Sequence, residues 1–157
     1  MRKRLICLPA GVLAVVLIVA GCGGGDDETS TASITKAEFV KQADIACKDT
    51  IGRIQADFLT FAKESKASST GAPTKQQTLE LVDVVLVPNL KQEVDEFRAL
   101  GAPSGDEDQV EAIVAALEEG VEEAENDPEG TVERNAEVWV TSSELASAYG
   151  LKDCGSR

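Results

Sequence analysis

A chain of 157 residues has room for one domain of ordinary size, and 28 acidic against 15 basic residues set its net charge at −13. Such a surface repels nucleic acid phosphate and anionic lipid headgroups, which excludes both as partners through charge. The chain has no histidine, and its one methionine is Met1, so Ser-His-Asp and Cys-His catalysis and metal or haem sites built from imidazole or thioether are excluded as well.

The first element is a leader. Arg2, Lys3 and Arg4 precede an apolar run from Leu5 to Ala20, the layout of a secretory signal. That run is shorter than the roughly 20 residues a membrane-spanning helix needs, and Pro9 and Gly11 interrupt it. Its end, "VAGC" from Val19 to Cys22, resembles the lipobox of bacterial lipoproteins. The resemblance implies cleavage of residues 1–21 as a lipoprotein signal peptide and a diacylglyceryl group, with palmitate-type chains, on the Cys22 thiol. The chain is then lipid-anchored to the outer face of the cytoplasmic membrane, an extracytoplasmic protein of the cell envelope. Loss of three basic residues with the leader takes the net charge from −13 to −16, so the lipid alone must hold the membrane. Residues 22–33 follow as a lipidated flexible tether of Gly, Ser, Thr and acid, about 20 Å in mean span.

The folded domain is expected over 34–157. Thr35 and Glu38 form a capping box, and Val40, Cys47, Ile54 and Phe61, with Ile51 and Phe58 between them, mark the apolar stripe of a helix reaching about Lys66. "SKASSTGAP" breaks it. Thr74 caps a second helix with apolar positions Leu79, Val82, Leu86, Leu90, Val94 and Phe97, ending at Gly101 in a left-handed cap. Pro88 lies inside it, so a kink is predicted there. Val110, Ile113, Val114, Leu117, Val121 and Ala124 form the stripe of a third helix. Asp127 then caps a fourth, with Pro128 in its first turn and Val132, Ala136, Trp139, Ser143 and Ala146 on one face. Val138, Leu145 and Tyr149 widen that face. Gly150 ends the helix, and Leu151 is placed for the apolar contact of a Schellman cap. Four amphipathic helices joined by short loops predict an all-α protein, an antiparallel up-down four-helix bundle.

Cys7 leaves with the leader and Cys22 carries lipid, which leaves Cys47 and Cys154 as an even pair in an oxidising compartment. A bundle of this topology sets the start of the first helix beside the end of the fourth, so the two are expected to form a disulfide. The body, with "DIAC", "VPNL" and "YGLKDCG", loosely resembles small uncharacterised secreted or lipid-anchored helical proteins of actinobacteria from Ile34 to Gly155. That resemblance implies no activity.

Chemistry-bearing residues are few. Gly105 to Gly150 holds fourteen acids against Arg134 alone, and Glu118, Glu119, Glu122, Glu123 and Glu125 lie mostly opposite the third helix's stripe. They read as a solvated face, or as an acidic patch for a basic partner or cation. "ENDPEGTVERNAE" fails as a calcium loop, because Pro128 interrupts the ligand spacing and Ala136 stands where a bidentate Glu is needed. Trp139 and Tyr149 belong in the core, unless Trp139 at the bundle mouth contacts a ligand. The reading is of a non-catalytic binding or interaction module that needs no cofactor and takes an unknown envelope protein or cationic ligand, without nucleic acid. The alternative is a cation-binding or carboxylate-dependent activity on the acidic face of the third helix.

Overall fold

In a computed structural model of the chain, which describes residues 33–65 and 73–156, every regular element is helical. The leader 1–21, Cys22 with the tether through residue 32, and the breaking segment 66–72 lie outside the described residues.

Thr35 opens α1 (Lys36–Glu64) by accepting a hydrogen bond from the Glu38 amide at 3.2 Å. Its buried face is Phe39, Ala43, Ala46, Cys47 and Thr50. The stripe predicted from sequence is therefore turned by one residue at its start, where Val40 is only half-buried beside a fully buried Phe39. Beyond Thr50 no α1 residue is fully buried, and Phe58 stands 45% exposed rather than in the core.

Thr74 and Gln77 close a reciprocal capping box at the start of α2 (Lys75–Leu81). Where a kink is expected, the chain widens into a π-helical turn, Val82–Leu86, and continues as α3 (Val87–Leu100). Pro88 has no amide proton to give to the preceding turn. The widened turn takes up the misfit, with the Val87 amide reaching back five residues to the Val82 carbonyl. The next side chain helps, because Asn89 Nδ2 donates to the Val85 carbonyl at 2.8 Å. Gly101 ends α3 as predicted, but with φ 66° and ψ 161°, a glycine-only conformation and not a left-handed helical cap.

The third segment, α4 (Glu107–Asn126), buries all six predicted stripe residues and Gly120 besides. Each large aliphatic among them contributes roughly 1.5–3 kcal/mol on burial. Asp127 caps α5 (Pro128–Arg134) by accepting from the Gly130 amide at 2.9 Å. The predicted continuous fourth helix is broken. Asn135 takes φ 51° and ψ −120°, which ends α5 and starts a 3-10 turn over Asn135–Trp139, after which α6 (Val140–Tyr149) begins afresh. The break turns Val132 and Ala136 outward, and the buried positions become Thr131, Ser142, Ser143, Ala146 and Tyr149. At the other end Gly150 (φ 113°, ψ 9°) and Leu151 form the expected Schellman cap, with Leu151 N–H donating to the Ala146 carbonyl at 2.9 Å and its side chain buried.

Packing follows chain order. α1 lies on α3, α3 on α4 and α4 on α6, while α1 meets the end of the chain through the 3-10 turn Cys154–Ser156 and packs little on α6 itself. Cys47 and Cys154 are joined there by a disulfide with Cα atoms 5.2 Å apart, as expected from sequence. Asp153 N–H donates to Asp44 at 2.9 Å beside it. Phe39 fills the same end, edge-on to Phe97 at 6.3 Å and to Tyr149 at 5.7 Å between ring centroids.

Candidate functional site

Away from the disulfide, α1 and α6 leave a gap that their neighbours do not fill. It is an apolar cavity of about 190 Å³, walled by Ile54 of α1, Leu86 of the π turn, Leu90 of α3, Leu117 of α4, Trp139 of the 3-10 turn and Ser142 of α6. Among the described residues no charged side chain lines it. The one polar wall, Ser142, is engaged, since its hydroxyl donates to the Trp139 carbonyl at 3.0 Å.

Trp139 is held by a missing side chain. A Cβ on Gly120 would come within 2.7 Å of Trp139 Cζ3 and 2.8 Å of Cε3, so the indole lies directly on the α4 backbone. The sequence reading left Trp139 open between core and ligand contact; the structure has it half-buried against the core and forming one wall of the cavity. Gly120 was not singled out, although a glycine midway along the cleanest apolar stripe is a signal of close approach.

The acidic residues singled out on α4 do not converge. Glu118, Glu122 and Glu125 face Lys91 and Asp95 across the α3 side, whereas Glu119 and Glu123 face Arg134 and Glu137 on the other flank. Three of the five are in ion pairs: Glu118 with Arg98 at 2.7 Å, Glu125 with Lys91 at 2.6 Å, and Glu123 with Arg134. Exposed pairs of this kind are worth about 0–1 kcal/mol each. Among the described residues no group of three or more acids or cysteines is arranged to hold a metal ion.

Two polar clusters went unread in the sequence. Between α1 and α3, Arg53 donates to Thr50 at 2.8 Å and to Asn89 Oδ1 at 3.3 Å and pairs with Glu96 at 3.1 Å, while Asn89 donates to Asp57 at 2.8 Å. Glu93, fully buried, places Oε1 3.5 Å from Cys47 Sγ of the disulfide. Beside Phe39, Tyr149 donates to Asp106 at 2.8 Å, and Lys36 sits 4.0 Å above the Tyr149 ring and 3.2 Å from Asp106. The Tyr149 hydrogen bond, helped by Lys36, holds the Asp106 carboxyl below its usual 3.8. Burial, and then Asp106 itself, pushes the Tyr149 hydroxyl well above its usual 10.0. These groups tie three chain segments together and line no part of the cavity.

Comparison of the chain with protein-family models, with curated proteins and with solved structures finds no match. No described helix is long and apolar enough to cross a membrane.

Proposed function

We propose that this chain is a lipid-anchored, extracytoplasmic binding module of the cell envelope, without catalytic activity of its own. Cys22 carries the lipid at the outer face of the cytoplasmic membrane, and the domain from residue 34 onward is an antiparallel up-down four-helix bundle. The bundle reading is supported by pairs whose numbers rise on one helix as they fall on the next: Phe39 with Phe97, Cys47 with Glu93 and Asp57 with Asn89 between α1 and α3, then Lys91 with Glu125 and Arg98 with Glu118 between α3 and α4. The extracytoplasmic reading draws support from the buried Cys47–Cys154 disulfide, a bond that persists in oxidising compartments.

The observation that carries the binding role is the uncharged cavity reached by all four helical segments, while three of the five singled-out acids of α4 pair with cations at the surface. Fractionation of cells expressing the wild-type chain and Cys22→Ser tests the anchor. The wild type is expected in the membrane with an acylated Cys22 at its amino terminus by mass spectrometry, and the variant released or left as the uncleaved precursor. A membrane-bound wild type that keeps Met1 overturns it. Crosslinking in intact cells tests the role, which fails if no molecule joins the folded domain reproducibly.

A further inference from the structure

Two departures from regular helix and one helical glycine meet at one place. The π turn Val82–Leu86 ends on Leu86, the strained Asn135 delivers the 3-10 turn that carries Trp139, and Gly120 clears the surface on which the indole rests. Leu86 and Trp139 both wall the cavity. Irregular turns of these kinds weaken a helix and persist where the site they shape is needed, and π turns and strained residues gather at ligand sites.

We infer that the cavity between Ile54, Leu86, Leu90, Leu117, Trp139 and Ser142 is a binding site for a small, neutral, apolar molecule the size of one aromatic ring. The inference rests on the reading of the chain as a binding module and names the ligand class. Size comes first: about 190 Å³ exceeds the roughly 150 Å³ at which an apolar protein cavity already accepts benzene, and falls short of a bulkier ligand's 300–1,000 Å³. Charge comes second. A chain with a net charge of −13 keeps every ionisable group out of these walls, so an ionised ligand would lose its hydration and gain no partner. Hydrogen bonding comes third, since the Ser142 proton is committed to the Trp139 carbonyl and is withheld from a carboxylate or carbonyl guest. The aromatic wall that Trp139 supplies favours a flat ring over a chain of equal volume.

Trp139 is the chain's only tryptophan, so its fluorescence reports on the cavity directly. The oxidised protein is titrated with toluene and, separately, with benzoate, the same ring bearing a charge; saturation-transfer NMR of the two probes gives a readout independent of the fluorophore. Toluene is expected to shift the Trp139 emission saturably and benzoate to bind at least tenfold more weakly. Ile54→Phe, which enlarges a half-buried wall residue into the cavity, is expected to weaken toluene tenfold or more while leaving the circular dichroism unchanged. Gly120→Ala should weaken it by displacing the indole. The inference is overturned if toluene gives no saturable signal up to its solubility, if benzoate binds as tightly as toluene, or if a folded Ile54→Phe protein binds toluene as the wild type does. Absence of toluene binding beside a reproducible crosslinked envelope partner would end the ligand class and leave the binding role standing. Toluene binding by a chain that is never lipidated would do the reverse for the anchor.

Discussion

Removing the Cys47–Cys154 bond perturbs the unfolded chain far more than the folded one, and the structure sets the size of the effect. The bond joins residues 107 apart in sequence, and the chain-entropy relation gives about 4.7 kcal/mol for a loop of roughly 100 residues. Residual order in the unfolded chain subtracts from that figure. Against the ~5–15 kcal/mol typical of a whole domain the loss is large. For a domain of this size 1 kcal/mol moves Tm by roughly 3–5 °C, so reduction should lower the melting midpoint by roughly 15–25 °C. Both sulfurs are buried, and in the reduced protein the two thiols still fill their places, so the helical circular dichroism at low temperature should be unchanged. The assay is thermal unfolding of the oxidised protein, the reduced protein and the double variant Cys47→Ala/Cys154→Ala. A fall of less than about 5 °C on full reduction would refute the entropic argument. Rapid alkylation of both thiols in the native, unreduced protein would refute the bond itself.

Gly101 and Gly150 both stand at positive φ with open space where a Cβ would go, so any cost of substitution is backbone strain alone. Gly150→Ala enters the left-handed helical region at about 1–2 kcal/mol, whereas Gly101→Ala at ψ 161° should cost more, up to about 3 kcal/mol; urea titration that ranks them the other way contradicts the assignment. Thr131 Oγ1 is buried without a hydrogen-bond partner among the described residues, so Thr131→Val, which keeps the shape, is expected to stabilise by roughly 1 kcal/mol, and a destabilised variant would mean that the hydroxyl has a partner. Asp106 is held below its usual 3.8, so its contribution is present above that pH and is lost as pH falls through the lower folded value; Asp106→Asn should flatten the stability profile in that acid window. Tyr149 is raised above 10.0, so its contribution is complete below pH 10 and falls away at higher pH, a decline that Tyr149→Phe should remove in base-titrated melts.

Periodicity made the helices legible wherever burial and residue type agreed. α4 shows this best, since each of its six stripe residues is apolar and buried, and the caps at Thr35, Thr74, Asp127 and Gly150 were readable because each has one local hydrogen-bonding solution. The reading failed where tertiary contacts reassign a residue's side. Phe58 fits the α1 stripe by spacing, yet it stands 45% exposed, while its neighbour Asp57 is the residue that meets α3, through Asn89. Glu93 lies on the row Leu86, Leu90, Glu93 and Phe97 but was not singled out, because a carboxylate adds nothing to an apolar pattern, and its place beside the disulfide follows from the packing of α1 on α3.

The candidate site was illegible for a related reason. A cavity is defined by what four segments leave unfilled, and no window of sequence contains that information. Its walls come from residues 54 to 142; the aliphatic ones read locally as ordinary core side chains, Ser142 carries no signal, and only Trp139 was open to a ligand contact. What sequence does hold are the irregularities: Pro88 after a β-branched run, Gly120 within an apolar stripe, and Asn135 inside a helical pattern. Each costs its helix something, and evenly packed helices would need none of them. Pro88 was read as a kink and Asn135 was passed over, because a local reading assigns such costs one at a time. Only their convergence on Leu86 and Trp139 separates a shaped cavity from three unrelated defects. The same logic sets the sign for Gly120→Ala. At a merely tolerated glycine, alanine would strengthen α4 by roughly 0.5–1 kcal/mol through helix propensity. Where the glycine exists to seat Trp139, the 2.7 Å approach should cancel that gain and shift the tryptophan emission even in the absence of ligand.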